Sequence, residues 1–121
     1  MNRLEDPAYW KALVNMGLSK FFILRVLHTE PTHGYAVLEK LARFTEGCCV
    51  PTYGTIYPIL KELVEGAYAE VSSEIVGGRE RKVYKLTGKG EQAYLNAVCA
   101  WQDVIPYLTR VMVADGEAVH G

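Results

Sequence analysis

Residues 51–73 read PTYGTIYPILKELVEGAYAEVSS, and their hydrophobic period changes midway. Ile56, Ile59, Leu60, Leu63 and Val64 recur at i, i+3, i+4, i+7 and i+8, the spacing of a helix with one core-facing stripe. Gly66 closes that element. Beyond it Ala67, Ala69 and Val71 alternate with Tyr68, Glu70 and Ser72, the period of a strand covered on one face. RKVYKL (81–86) alternates too, and Gly77-Gly78 between the two runs is a hairpin turn signal. A helix therefore leads straight into a two-stranded ribbon. Pro58 is tolerable if regular helix starts near Gly54 or Thr55, and costs more if it starts at Thr52, because proline deeper in a helix removes a hydrogen bond.

Upstream, a helix is expected from about Trp10 to His28, with Leu13, Met16, Phe21, Leu24 and Leu27 on one face and a possible break at Gly17. TEPTHG (29–34) is a turn in which Thr32 would cap a second helix, about Gly34 to Glu46. That helix turns Leu38, Leu41 and Ala42 to one side, and Gly47 stands where a terminating glycine would sit. Downstream, Thr87 would cap a last helix running from about Lys89 to beyond Val111. In it Tyr94, Val98, Trp101, Ile105, Leu108 and Met112 are spaced alternately by four and three, the seam of paired helices. Ala97, Val104 and Val111 widen the stripe, and Pro106 should kink the helix or loosen a turn.

Three helices followed by a ribbon is the order of a winged helix-turn-helix. The expected fold is mainly α with a two-stranded β-hairpin: a winged helix-turn-helix DNA-binding domain over residues 1–87, then a C-terminal dimerisation helix and tail over 88–121. The wide seam on the last helix calls for a second copy of the chain.

Composition sets outer limits. Half of the 121 residues are hydrophobic and 22% are charged, the balance of one folded domain with a modest core. No apolar run reaches the roughly 18 residues of a membrane span, and MNRLEDPAYW has no signal-peptide pattern, so a cytoplasmic protein is expected. The net charge of −1 argues against nonspecific coating of nucleic acid but permits a local basic patch. No Gly-rich phosphate loop, paired carboxylate site or nucleophile with an identifiable base supports an enzyme, and no cofactor is required.

The second helix of a helix-turn-helix enters the major groove. Here its face away from the apolar stripe carries Tyr53, Thr55, Tyr57 and Lys61, with Thr52 at the entry. Hydroxyls can donate to phosphate or read base edges, and the helix N-terminus offers free amides to phosphate. The hairpin tip adds Arg79, Arg81, Lys82 and Lys85, four of the thirteen basic residues within seven positions. Such a tip can reach the DNA backbone or the minor groove.

The stretches HGYAVLEKL (33–41), PTYGTIYPILKELVEGAY (51–68) and GRERKVYKLTGKG (78–90), followed by one long helix, resemble the PadR-type transcriptional regulators over about residues 18–112. The resemblance implies a winged-helix homodimer that represses transcription and leaves its double-stranded operator on binding a small-molecule effector. The single terminal helix is similar to that of the short subgroup. Carried over position by position, Tyr35, Thr52, Gly54, Thr55 and Tyr57 would contact DNA, with Lys61 beside them, and Arg79, Arg81 and Lys82 would be the wing contacts. The family often enters its recognition helix through Ser-Pro, whereas here Pro51 precedes Thr52-Tyr53. In some proteins of this kind flat hydrophobic ligands bind at the dimer interface near an aromatic of the last helix. Trp101 is the matching residue, and Trp10 could line the same space.

Three cysteines remain. Adjacent Cys48 and Cys49 are poor disulfide partners by Cα spacing, so reduced thiols are expected. With Cys99 they form a possible soft-metal, metalloid or redox-sensing set, since thiolates suit such ions and a nearby helix N-terminus favours thiolate. The spacing is not a zinc pattern. The histidines add little: His28 would meet the carbonyls ending the first helix, His33 belongs to the turn motif, and His120 lies in the tail. A winged-helix module that binds protein rather than DNA is the third reading.

Overall fold

The computed structural model describes residues 3–113; His120 lies outside them. A short turn of 3-10 helix, Arg3–Glu5, leads into α1 (Pro7–Thr29), β1 (Thr32–His33), α2 (Gly34–Phe44), α3 (Tyr53–Glu65), β2 (Ala69–Val76), β3 (Arg79–Leu86) and α4 (Gly88–Val113). The expected mainly α winged helix-turn-helix with a long last helix is the fold observed. The sheet has one strand more than expected. The turn after α1 pairs Thr32 with Tyr84 and His33 with Val83, giving an antiparallel sheet in the order β1-β3-β2. Two residues show no alternating pattern, so periodicity could not find β1.

The core forms where three helices and the hairpin base meet. Ile23 and Leu27 of α1, Val37 and Leu41 of α2, and Ile56 and Leu60 of α3 are buried, closed from below by Ala69, Tyr84 and Leu86. The stripe at 56, 60 and 63 is the inner face of α3 as expected. On α1 only the C-terminal half conforms. Leu13 and Met16, expected on the inner face, are exposed, Met16 at 72%, because α1 runs past the body before it meets α2 and α3.

Both turns that end α2 and α3 use an unexpected residue in the left-handed region. After α2 it is Glu46 (φ 53°), followed by Gly47 (φ 76°). The Gly47 N–H donates to the Ala42 carbonyl at 2.9 Å and that of Glu46 to Arg43 at 3.3 Å, the paired bonds of a Schellman ending. After α3 the left-handed residue is Ala67 (φ 65°), so Ala67 belongs to the turn and β2 starts at Ala69. The hairpin turn is as expected: Gly77 and Gly78 at φ 58° and 79° supply the two positive φ values of a tight connection.

Thr32 does not cap α2. His33 holds that position, while the buried Thr32 hydroxyl donates to the Glu30 carbonyl and accepts from Lys40 Nζ at 3.0 Å. Thr87 does cap α4: its Oγ1 accepts the Gly90 N–H at 3.1 Å and donates to the Ala67 carbonyl at 2.7 Å. α4 continues through Pro106 to Val113 and packs on α1. Tyr94, expected on the dimer seam, is instead in the core. It stacks on Phe21 (6.0 Å) and His28 (4.3 Å), and its hydroxyl accepts from Arg25 at 2.9 Å. His28 accordingly turns to Glu91 (2.6 Å) rather than to the end of its own helix. Val98 and Trp101 are half-buried against α1, whereas Ile105, Leu108 and Met112 are exposed. The seam is thus divided: its first half is covered within the chain and its second half is open.

Candidate nucleic-acid interface

The inner stripe of α3 leaves Tyr53, Gly54, Tyr57, Pro58 and Lys61 facing outward. Pro58 costs little here, because the carbonyl it leaves without a partner is that of exposed Gly54. Thr52 precedes the helix, and its carbonyl accepts from both Thr55 and Ile56 N–H at 3.0 Å. Its side chain makes no capping bond and lies 3.5 Å from the Thr55 hydroxyl. The Tyr53 and Gly54 amides therefore precede the first intrahelical bonds and point out of the helix end.

A ladder of rings ties this end to α2 and the wing. Tyr53 donates its hydroxyl to the Tyr35 carbonyl at 3.0 Å and stacks on Tyr57 with centroids 5.8 Å apart. Tyr35 stacks on His33 at 5.1 Å and carries the Arg81 guanidinium 5.0 Å over its ring. Gly34 makes the approach possible: a Cβ there would stand 3.1 Å from Tyr84 Cε1 and 3.2 Å from Tyr57 Cε1. The result is a shallow cleft of about 160 Å³ lined by Gly34, Tyr35, Tyr57, Glu80, Arg81, Lys82 and Tyr84. Burial, and secondarily neighbouring Tyr57, pushes the Tyr84 phenol above its ordinary range, so the ring stays neutral.

Tyr35, Tyr57, Arg81 and Lys82 are thus brought together, with Tyr53 adjoining. Lys61 is exposed further along α3, and Arg79 is exposed beside the turn glycines. Thr52 and Thr55 turn the other way, toward a hollow they share with Asn15, Met16 and Ser19 of α1. Among the described residues Arg79, Arg81, Lys82 and Lys85 have no carboxylate within ion-pair distance; the ion pairs lie at Lys20–Glu62, Lys40–Glu30, Arg43–Glu39, His28–Glu91 and His33–Glu74. Sequence reasoning missed Gly34, Tyr84, Glu80 and the His33–Glu74 contact (3.1 Å). Glu80 was legible as an acid between two arginines; the others depend on β1 pairing.

Trp101 lines a second cavity with Phe21, Phe22, Arg25, Phe44 and Tyr94, of about 330 Å³. Trp10 is not part of it. It is exposed near the start of α1, donating its indole N–H to the Leu4 carbonyl at 2.9 Å, and α1 separates it from Phe21 by about 16 Å at helical rise. The expected thiol set is not gathered: among the described residues no group of three or more His, Cys, Asp or Glu could hold a metal ion, and Cys99 is exposed and free on α4. Cys48 and Cys49 depart from expectation in another way. The structure joins them in a vicinal disulfide, the turn after Glu46 and Gly47 bringing together side chains that an extended chain would send apart.

Three helices, a hairpin whose basic residues have no ion-pair partner among the described residues, and an aromatic cleft joining the two define a winged helix-turn-helix protein. Residues 23–96 match the Transcriptional regulator PadR-like family, and the chain belongs to that family. It is similar to the transcriptional regulator YqjI of Escherichia coli, 32% identical over 76 residues, which are 63% of this chain and 35% of that protein. The chain thus spans about a third of the length of the curated relatives it matches. Bacillus subtilis PadR, solved in complex with operator DNA, is 26% identical over 67% of this chain and 46% of its own, with a TM-score of 0.62. A PadR family transcriptional regulator from Eggerthella lenta shares the fold over 98% of this chain and 99% of its own, with a TM-score of 0.78 at 22% identity.

Proposed function

We propose that this chain is a homodimeric, operator-binding repressor that works in the cytoplasm by binding rather than catalysis and is released by a small-molecule effector. α3 would enter the major groove with Tyr53, Gly54, Tyr57 and Lys61, Thr52 and Thr55 would flank its entry, and Arg79, Arg81 and Lys82 would hold the backbone beside it. The observation that carries this reading is the Arg81–Tyr35–Tyr53 connection: it fixes the basic wing and the candidate reading helix relative to each other, as one surface must be fixed to meet one duplex. The similarity to a PadR solved on operator DNA supports it.

Residues 1–87 form the reading unit in this account, and 88–121 carry the dimer contact. The open halves of two helices support pairing: Trp10, Leu13, Val14 and Met16 on α1, and Ile105, Leu108, Val111 and Met112 on α4. A flat aromatic effector suits the Trp101 cavity, where Arg25 could meet an acidic group. Titration of the full chain against a labelled duplex from its own upstream region, beside a scrambled duplex, tests the reading. Salt-dependent binding that prefers the upstream duplex is the expected result. Equal, weak binding to both would leave a winged-helix module that binds protein.

A further inference from the structure

Cys48 and Cys49 stand in the turn between the two helices of the helix-turn-helix. Cys49 is 8% exposed and lies under the turn, while Cys48 is open to solvent. Lys11 of α1 places its ammonium 3.9 Å from the Cys48 sulfur and has no carboxylate within ion-pair distance among the described residues. A neighbouring cation favours thiolate, the nucleophilic form of cysteine. One sulfur is thus accessible and lies beside a cation, and its covalent neighbour is sheltered.

We propose that Cys48 and Cys49 form a reversible thiol–disulfide couple, oxidised by hydroperoxides, that sets the aim of α3. The Cys48 thiolate attacks a peroxide oxygen: an S–O bond forms, the O–O bond breaks, and the departing oxygen takes up a proton and leaves as alcohol or water. The Cys49 thiol then attacks the Cys48 sulfur: the S–S bond forms, the S–O bond breaks, and the Cys49 proton leaves with the hydroxyl as water. Two thiols and one hydroperoxide give one disulfide, one alcohol (or water) and one water, the sulfurs losing two electrons and the peroxide gaining them.

The location makes the couple consequential. A bond between neighbouring residues closes both, with the peptide between them, into one small ring and fixes backbone torsions that the dithiol leaves free. Only Val50 and the buried Pro51 separate that ring from Thr52, the residue preceding α3, and proline passes a change of direction on without absorbing it in φ. The effect on DNA rests on the operator reading above; the sulfur chemistry does not.

The test uses the full chain, reduced, freed of reductant, treated with one equivalent of hydrogen peroxide, then quenched with N-ethylmaleimide and weighed. The reduced protein should take three maleimides, one per cysteine. The oxidised protein should take one, on Cys99, and dithiothreitol should restore three. Cys48→Ser and Cys49→Ser should each abolish closure, and Lys11→Met should slow it. Amide exchange over residues 52–57 should differ between the two forms, and operator affinity should change by about tenfold or more. Persistent alkylation of Cys48 and Cys49 after peroxide, or over-oxidised sulfur in place of the disulfide, would overturn the couple. Closure that leaves amide exchange over 52–57 unchanged, or equal operator affinity of both forms, would overturn its control of α3. If closure and exchange behave as expected and neither form binds operator, the DNA reading fails and the couple stands.

Discussion

Replacing both wing arginines, Arg79→Ala with Arg81→Ala, should change how operator binding responds to salt. Neither guanidinium is engaged by a carboxylate among the described residues, so each is available to one phosphate. Each neutralised phosphate contributes about 0.9 to the slope of log K against log salt, which at 0.1 M salt is about eightfold in affinity. In the proposed homodimer two arginines per protomer would make four contacts, so the slope should fall by about 3.6 and affinity at 0.1 M by about 4,000-fold. At 0.2 M salt the same loss shrinks to about 300-fold, and this convergence distinguishes lost phosphate contacts from a misfolded wing. Arg81 also loses its place over the Tyr35 ring, worth about 0.5–1 kcal/mol at an exposed site, and that part is independent of the operator. Fluorescence anisotropy on one duplex across a salt series gives both numbers. Arg79→Lys with Arg81→Lys should keep the slope. Parallel salt plots for wild type and the double alanine variant, at equal thermal stability, would refute the assignment of the wing to the backbone.

Three further perturbations test the scaffold. Gly34→Ala would put a methyl 3.1–3.2 Å from the Tyr84 and Tyr57 rings; urea unfolding should show a loss of about 1 kcal/mol, with weaker operator binding because Tyr57 must move. Gly90→Ala is harsher, since its Cβ would lie 2.0 Å from the Tyr68 carbonyl oxygen, a backbone atom that cannot turn aside; a loss of about 3 kcal/mol, or about 12 °C in Tm, is expected by thermal melting. The hydrogen bond and charge of Lys40 hold the Glu30 carboxyl below its ordinary value of 4.5. Its folded value is depressed, so its contribution is present above pH 4.5 and lost as pH falls through the folded value, and Glu30→Gln should flatten that part of the acid limb of a stability–pH curve.

What the sequence revealed follows from how far each signal reaches along the chain. The switch of period between residues 56–64 and 67–86 is local and repeated, and it located α3, the hairpin and their order. Helix ends were less legible: Gly47 is left-handed as a terminating glycine should be, but Glu46 before it is left-handed too, and after α3 Ala67 takes that conformation in place of Gly66. β1 was hidden because its two residues pair with a strand some fifty positions later. The same distance hid Gly34 and Tyr84 from the candidate site. Tyr94 shows the limit of a heptad reading. Its spacing with Ile105 and Met112 is correct, but α1 lies against only the first half of that seam, and no pattern within α4 reports where the two helices part.

The slightly acidic net charge does not weigh against DNA binding, because charge acts over about 10 Å at 0.1 M salt and not over the whole molecule. Glu62, Glu30, Glu39 and Glu91 are engaged by Lys20, Lys40, Arg43 and His28 away from the wing. On the wing itself four bases stand on the same two strands as three acids, Glu70, Glu74 and Glu80, and Glu74 is drawn off by His33. Glu80 remains in the cleft with Arg81 and Lys82. In the proposed complex an acid in that position would repel phosphate and could accept a hydrogen bond from cytosine, which would lower affinity for duplexes in general while permitting a preference among them. In the proposed operator complex a wing of mixed charge, joined through Tyr35 to α3, would therefore favour discrimination among duplexes.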